Sequence, residues 1–237
     1  MKKTSTSAAA AELRSIANPA KAELLKKFFK TGKGEYAEED NFLGVMVPEI
    51  RKVAKKYSAM PENDIESLLA SPYNEERLTA LIVMGKNYKN GDEAERERLF
   101  RLYVKNMSSV NNWNLVDLSA PYISGPHLEN GGREFLHKLS RSNNLWERRI
   151  AIISCSHYIR NGDFADALKI TATLMSDKHD LIHKACGWML REIGKKDEGA
   201  LDKFLKEWHT KMPRTMLRYA IERMPEPKRQ AYLKGQG

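Results

Sequence analysis

Residues 113–117, Trp-Asn-Leu-Val-Asp, set an indole and a carboxylate four residues apart. In a helix that spacing puts both on one side. A packed core would ask for leucine or isoleucine at such positions. Indole faces attract cations, and a carboxylate stabilises developing positive charge. The pair therefore suits a reaction that passes through a cation.

Similar residue types recur at a fixed interval. RLTALIVMG from Arg77, NWNLVDLSA from Asn112, RRIAIISCS from Arg148, HKACGWMLR from His183 and LRYAIERMP from Leu217 start 35, 36, 35 and 34 residues apart. The second position of each segment holds Leu78, Trp113, Arg149, Lys184 and Arg218, and four residues on stand Ile82, Asp117, Ile153, Trp188 and Glu222. This register places Trp113, Asp117, Arg149, Lys184, Trp188, Arg218 and Glu222 on one face of neighbouring helices. Mixed cations, carboxylates and indoles predict a solvent-facing groove able to bind a backbone phosphate and hold a cation. Taken singly, a helical tryptophan is most often core and a terminal aspartate a cap or a solvated residue. The shared position is what raises the set above that background. Trp146 and Trp208 fall outside the ladder and read as packing residues.

The elements that must carry these residues are helices. No stretch alternates apolar and polar residues for long, whereas helical periodicity is present throughout. It predicts helices over 8–30, 48–58, 62–70, 74–88, 92–106, 110–120, 132–141, 144–161, 163–175, 180–194, 198–209, 213–223 and 226–234. Breaks such as Ser71-Pro72, Asn161-Gly162-Asp163 and Met212-Pro213 separate them. Regular spacing with divergent residues marks a degenerate helical-pair repeat of the HEAT type, all-α and stacked into a curved solenoid. The 237 residues are read as a single domain, 1–237, with residues 1–7 a disordered lead.

The net charge of +9 favours a polyanionic partner, nucleic acid first. From Lys178 to the end, 14 Lys and Arg face 8 Asp and Glu, so the excess concentrates in the last quarter. No apolar run approaches the ~20 residues of a membrane helix. The lead MKKTSTSAAAAELRS lacks a hydrophobic stretch typical of export, which points to the cytoplasm. Cys155 and Cys186 lie in apolar helical stretches and read as reduced, buried thiols. His179 and His183 have a metal-compatible spacing but no third ligand, so they read as a helix-start and a surface histidine. GPHLENGG lacks a phosphate-loop lysine, and DEAERERLF reads as an exposed helix face. No metal or other cofactor is expected.

NNWNLVDLSAPYISG, NLWERRIAIIS and HKACGWMLREIGK, with FLGVMVPEIRKVAKKY upstream, resemble the AlkD-like DNA alkylation repair glycosylases from about residue 20 to 225. The resemblance implies a HEAT-like solenoid with a basic concave groove for duplex DNA. It implies excision of positively charged N3- and N7-alkylated purines (3-methyladenine and 7-methylguanine among them) without base flipping, in base excision repair. By position, Asp117 matches the catalytic carboxylate, Trp113 and Trp188 the indoles against the lesion deoxyribose, and Arg149 the arginine that holds the backbone. Phosphate contacts are expected from Arg149, Lys184 and Arg218, with Arg191 or Arg214. The N-terminal helices diverge more from the family. A monomer is the expected state. The competing readings are a non-catalytic protein that binds duplex or branched DNA and a protein-binding scaffold. Asp117 between two tryptophans favours the enzyme.

Overall fold

The computed structural model describes residues 7–38 and 40–235. Among them the chain is all-α, with no strand and one isolated parallel bridge between Asn41 and Tyr73. No described helix is long and apolar enough to cross a membrane. The chain divides into two compact units, Met1–Ile123 and Ser124–Gly237.

The first unit holds α1 (Ala8–Ser15), α2 (Pro19–Phe28), α3 (Val47–Lys56), α4 (Glu62–Leu69), α5 (Asn74–Asn90), α6 (Glu93–Lys105) and α7 (Trp113–Asp117). The single helix expected over 8–30 is two, because Asn18 caps a new start by accepting from the Lys21 N–H and Pro19 occupies its first position. The lead expected over 1–7 lies outside the described residues except for Ser7. That residue is buried and caps α1, its Oγ accepting from the Ala10 N–H at 3.2 Å. The helix expected over 110–120 shrinks to α7, since Asn112 is extended and a 3₁₀ turn through Pro121 follows.

The first turn of α5 is polar yet buried. Asn74, Glu75, Glu76 and Arg77 are all at most 4% exposed. Their charged members reach into α1 and residues 40–45. Glu75 accepts from the backbone N–H groups of Leu43, Gly44 and Val45. Glu76 pairs with Arg14 of α1 at 2.6 Å, and Arg77 pairs with Asp40. One helix end thus collects two remote segments, α1 and the loop of residues 40–45. Such burial is tolerable only because every charge has a partner.

The second unit holds α8 (Ser124–His127), α9 (Glu134–Leu139), α10 (Leu145–Ser154), α11 (Ser156–Arg160), α12 (Ala165–Thr173), α13 (Asp180–Lys196), α14 (Glu198–Trp208), α15 (Arg214–Ala220) and α16 (Glu226–Leu233). The run expected over 144–161 breaks at Cys155. There the Ser154 hydroxyl and Cys155 thiol donate to carbonyls one turn back, at 2.7 and 3.5 Å, a bonding pattern that bends helices. Trp208 is half-buried and stacks on Phe204, as a packing residue should. Both cysteines are free and fully buried. Burial pushes the Cys186 thiol up to about 12 and the Cys155 thiol further still. A thiol reagent should therefore label neither cysteine in the native protein and both in denaturant. Fast native labelling would show that the second unit opens.

The repeat has a physical mark. Arg77 donates to the Ser71 carbonyl at 2.8 Å, Arg148 to that of Ser142 at 2.9 Å, and His183 to that of Asp177 at 2.5 Å. These residues open three of the aligned segments, and each reaches six residues upstream. Two of these segments are consecutive, so the 35 residues from Arg148 to His183 separate helices tied the same way to their preceding turn.

Candidate functional site

In α7 burial follows the turn of the helix. Asn114, Leu115 and Val116 are buried, whereas Trp113 and Asp117 on either side are half-buried. One face of this short helix packs on α5, and the other presents the indole and the carboxylate one turn apart. A five-residue helix cannot hold itself. Its anchors are the buried Leu115 and Val116, the Ser119 hydroxyl bonded to the Leu115 carbonyl at 2.6 Å, and the Asn114 amide, which donates to Asn74 Oδ1 at 2.7 Å.

Trp113 has a second role that its ladder position does not reveal. It stacks on Phe29 with ring centroids 4.8 Å apart, and Phe29 stacks on Phe42 at 4.9 Å. Phe28 meets the indole edge-on at 5.8 Å and is 63% exposed. The indole is therefore part packing residue, part surface. Sequence reasoning missed Phe28, Phe29 and Phe42 as its partners; the adjacent pair Phe28-Phe29 in a lysine-rich helix was the available signal.

In the second unit, α10, α13 and α15 pack in succession, so the ladder positions on them are neighbours. Their exposure differs. Arg149 is 5% exposed and donates to the Leu181 carbonyl at 2.6 Å. This corrects the expectation that it lies open to solvent: a backbone carbonyl at the start of α13 offers the guanidinium a buried partner. Ile153 is fully buried. Lys184 is half-buried and pairs with Asp180 at 2.7 Å. Trp188 is half-buried, its Nε1 donating to Glu192 at 3.1 Å. Arg218 and Glu222 are exposed, and Glu222 pairs with Arg191. Arg214 is exposed and donates to the Leu233 carbonyl at 3.0 Å. An anion would draw Lys184 and Arg191 from exposed carboxylates, a small cost because such pairs are weak in water.

His179 caps α13, its Nδ1 accepting from the Leu181 N–H. His183 is half-buried and bonded to a carbonyl rather than free on the surface. Among the described residues no group of three or more His, Cys, Asp or Glu could hold a metal ion.

A family model described as DNA alkylation repair enzyme matches residues 9–224. A solved structure described as a predicted DNA alkylation repair enzyme from Enterococcus faecalis is 17% identical. The match covers 89% of this chain and 97% of that one, with a TM-score of 0.68. That likeness is one of fold. No curated protein matches the chain.

Proposed function

The chain belongs to the DNA alkylation repair enzyme family, and on that premise we propose that it is an AlkD-like DNA glycosylase. It hydrolyses the N-glycosidic bond of cationic N3- and N7-alkylated purines in duplex DNA, without flipping the base. The observation that carries this reading is that Trp113 and Asp117 stay half-exposed one turn apart on α7 while the three residues between them are buried.

An N-alkylated purine already bears positive charge. It departs as a neutral base with the bonding electrons, so no acid need protonate it. The positive charge passes to the sugar. The Asp117 carboxylate stabilises that oxocarbenium-like sugar and orients the water that adds to C1′. The water's proton leaves to Asp117 or to solvent. The electron-rich face of Trp113, in the same helix as Asp117, favours that cation, and family resemblance assigns Trp188 to the lesion sugar as well. One carboxylate therefore serves where glycoside hydrolases commonly use two. Family resemblance assigns Arg149 to the backbone at the lesion and Lys184, Arg218 and Arg191 or Arg214 to other phosphates. Such contacts bind with little sequence preference and weaken steeply with salt.

The test is release of free base from a duplex carrying a single N7-methylguanine, against a no-enzyme control and in EDTA. Release above the spontaneous rate, indifferent to the chelator, is expected. Release at the spontaneous rate by protein that still binds the duplex would overturn the reading in favour of a binding-only role. Duplex affinity that does not change with salt would overturn the assignment to DNA altogether.

A further inference from the structure

Asp40 stands in the loop before α3 and is 5% exposed. Its carboxylate gathers three side chains. Asn74 donates to Oδ2 at 2.9 Å, Asn112 donates to the same oxygen at 2.6 Å, and Arg77 pairs with Oδ1. Asn112 is itself fully buried, and its Oδ1 accepts from the Trp113 N–H at 2.8 Å. One side chain thus joins Asp40 to the first residue of α7. Asn74 reaches the second, through Asn114. The loop is fixed in turn, since Asn41 N–H donates to the Pro72 carbonyl and Asn74 N–H to that of Asn41.

A buried ion pair with buried amides contributes little net stability compared with apolar packing of the same volume. What such a network supplies is a unique arrangement, and here each side chain has a partner, although the Arg77 Nε is buried without one. Here the arrangement it defines is the start of the helix that carries the indole and the carboxylate. The second unit holds a partial counterpart, in which a backbone carbonyl replaces the carboxylate at one contact. Arg148 pairs with Asp177 at 2.6 Å, and the Asp177 carbonyl receives His183. In both units the bracketed residue immediately precedes a ladder residue: Trp113 after Asn112, Arg149 after Arg148, Lys184 after His183.

We propose that Asp40 is a positioning residue for excision: through Asn112 it sets where Trp113 and Asp117 stand. The inference rests on the role given to those two residues above, and its test separates the two. Asn112→Asp sets a second carboxylate against Asp40, where among the described residues the charged group in contact is the Arg77 guanidinium. At about pH 8 the carboxylates repel. Towards about pH 5.5 one of them takes a proton and the hydrogen bond reforms. Asn112→Ser keeps an acceptor for the helix start but cannot reach Asp40.

Excision by Asn112→Asp, relative to wild type at each pH, is expected to fall about tenfold at the higher pH and to recover at the lower one. Asn112→Ser should lose activity at both. Duplex affinity should hold for either variant. In fluorotryptophan-labelled protein, one of the four indole resonances, the one lost in Trp113→Phe, should move with pH in Asn112→Asp while the other three hold. A pH-independent loss with all four resonances displaced would mark Asp40 as merely structural. Unchanged excision with an unmoved Trp113 resonance would overturn the proposal. If wild type releases no base, the resonance alone decides, and the excision reading fails separately.

Discussion

Asp117→Asn is expected to lower the rate of N7-methylguanine excision by about 10²- to 10³-fold, the loss seen when one preorganised charge-stabilising group is removed. The substitution keeps the shape of the side chain and deletes its charge. By the mechanism above, the carboxylate supplies roughly 2.7–4 kcal/mol of stabilisation to a cationic sugar. Duplex affinity should hold or rise, because a carboxylate facing a phosphate polyanion repels it. That combination separates lost chemistry from lost structure, since a misfolded variant loses both. The same argument predicts substrate scope. With no acid to protonate the leaving base, a duplex carrying a neutral lesion such as ethenoadenine should remain intact. Single-turnover base release with wild type and variant on both substrates is the measurement. An unimpaired variant would reduce Asp117 to a solvated residue at the end of α7.

Helix positions were legible because they depend on spacing alone, and spacing survives in one dimension. Three of the five aligned segments open on a residue bonded to the carbonyl six residues upstream. Burial was less legible. Asn74-Glu75-Glu76-Arg77 is an unbroken polar run, yet all four are buried, because their partners lie in α1 and in residues 40–45. No local pattern announces a partner 37 residues away. Arg149 shows the same limit. A carbonyl can bury a guanidinium, and every residue has a carbonyl, so sequence cannot say which one does. The ladder therefore picked out residues of unusual type at shared spacings while misjudging how open Arg149 is. Trp113 combines both outcomes: its spacing from Asp117 was legible, its stack on Phe29 was not.

Gly44→Ala is expected to cost about 3 kcal/mol or more, a fall of roughly 6–12 °C in Tm for a chain of this size. Two effects add. Gly44 has φ +81°, a conformation that costs an L-residue about 1–2 kcal/mol. Its added Cβ would also overlap the Asn18 carbonyl oxygen and lie 2.7 Å from Ala22 N, both backbone atoms at the start of α2. Backbone cannot swing aside as a side chain can, so the loop must lift from the helix. Lifting breaks the bond from Asn18 N–H to the Leu43 carbonyl and pulls the Leu43, Gly44 and Val45 N–H groups from Glu75. Burial raises the Glu75 carboxyl above its ordinary range, and those N–H groups oppose the rise. A carboxyl raised in the folded state binds its proton more tightly there than in the unfolded chain. Its contribution to stability is full below the unfolded pKa and fades as pH climbs through the folded one. Removing the N–H donors raises the folded value further and widens that window, so the deficit of Gly44→Ala should grow between about pH 5 and pH 8. Thermal melts of wild type and variant at both ends of that range measure it. A Tm within about 2 °C of wild type, or a deficit that shrinks as pH rises, would show that the loop is not clamped between α2 and Glu75. The clamp matters for the site because Phe42, two residues from Gly44, carries the stack that ends on Trp113. A loop that lifts should therefore slow excision as well as lower Tm.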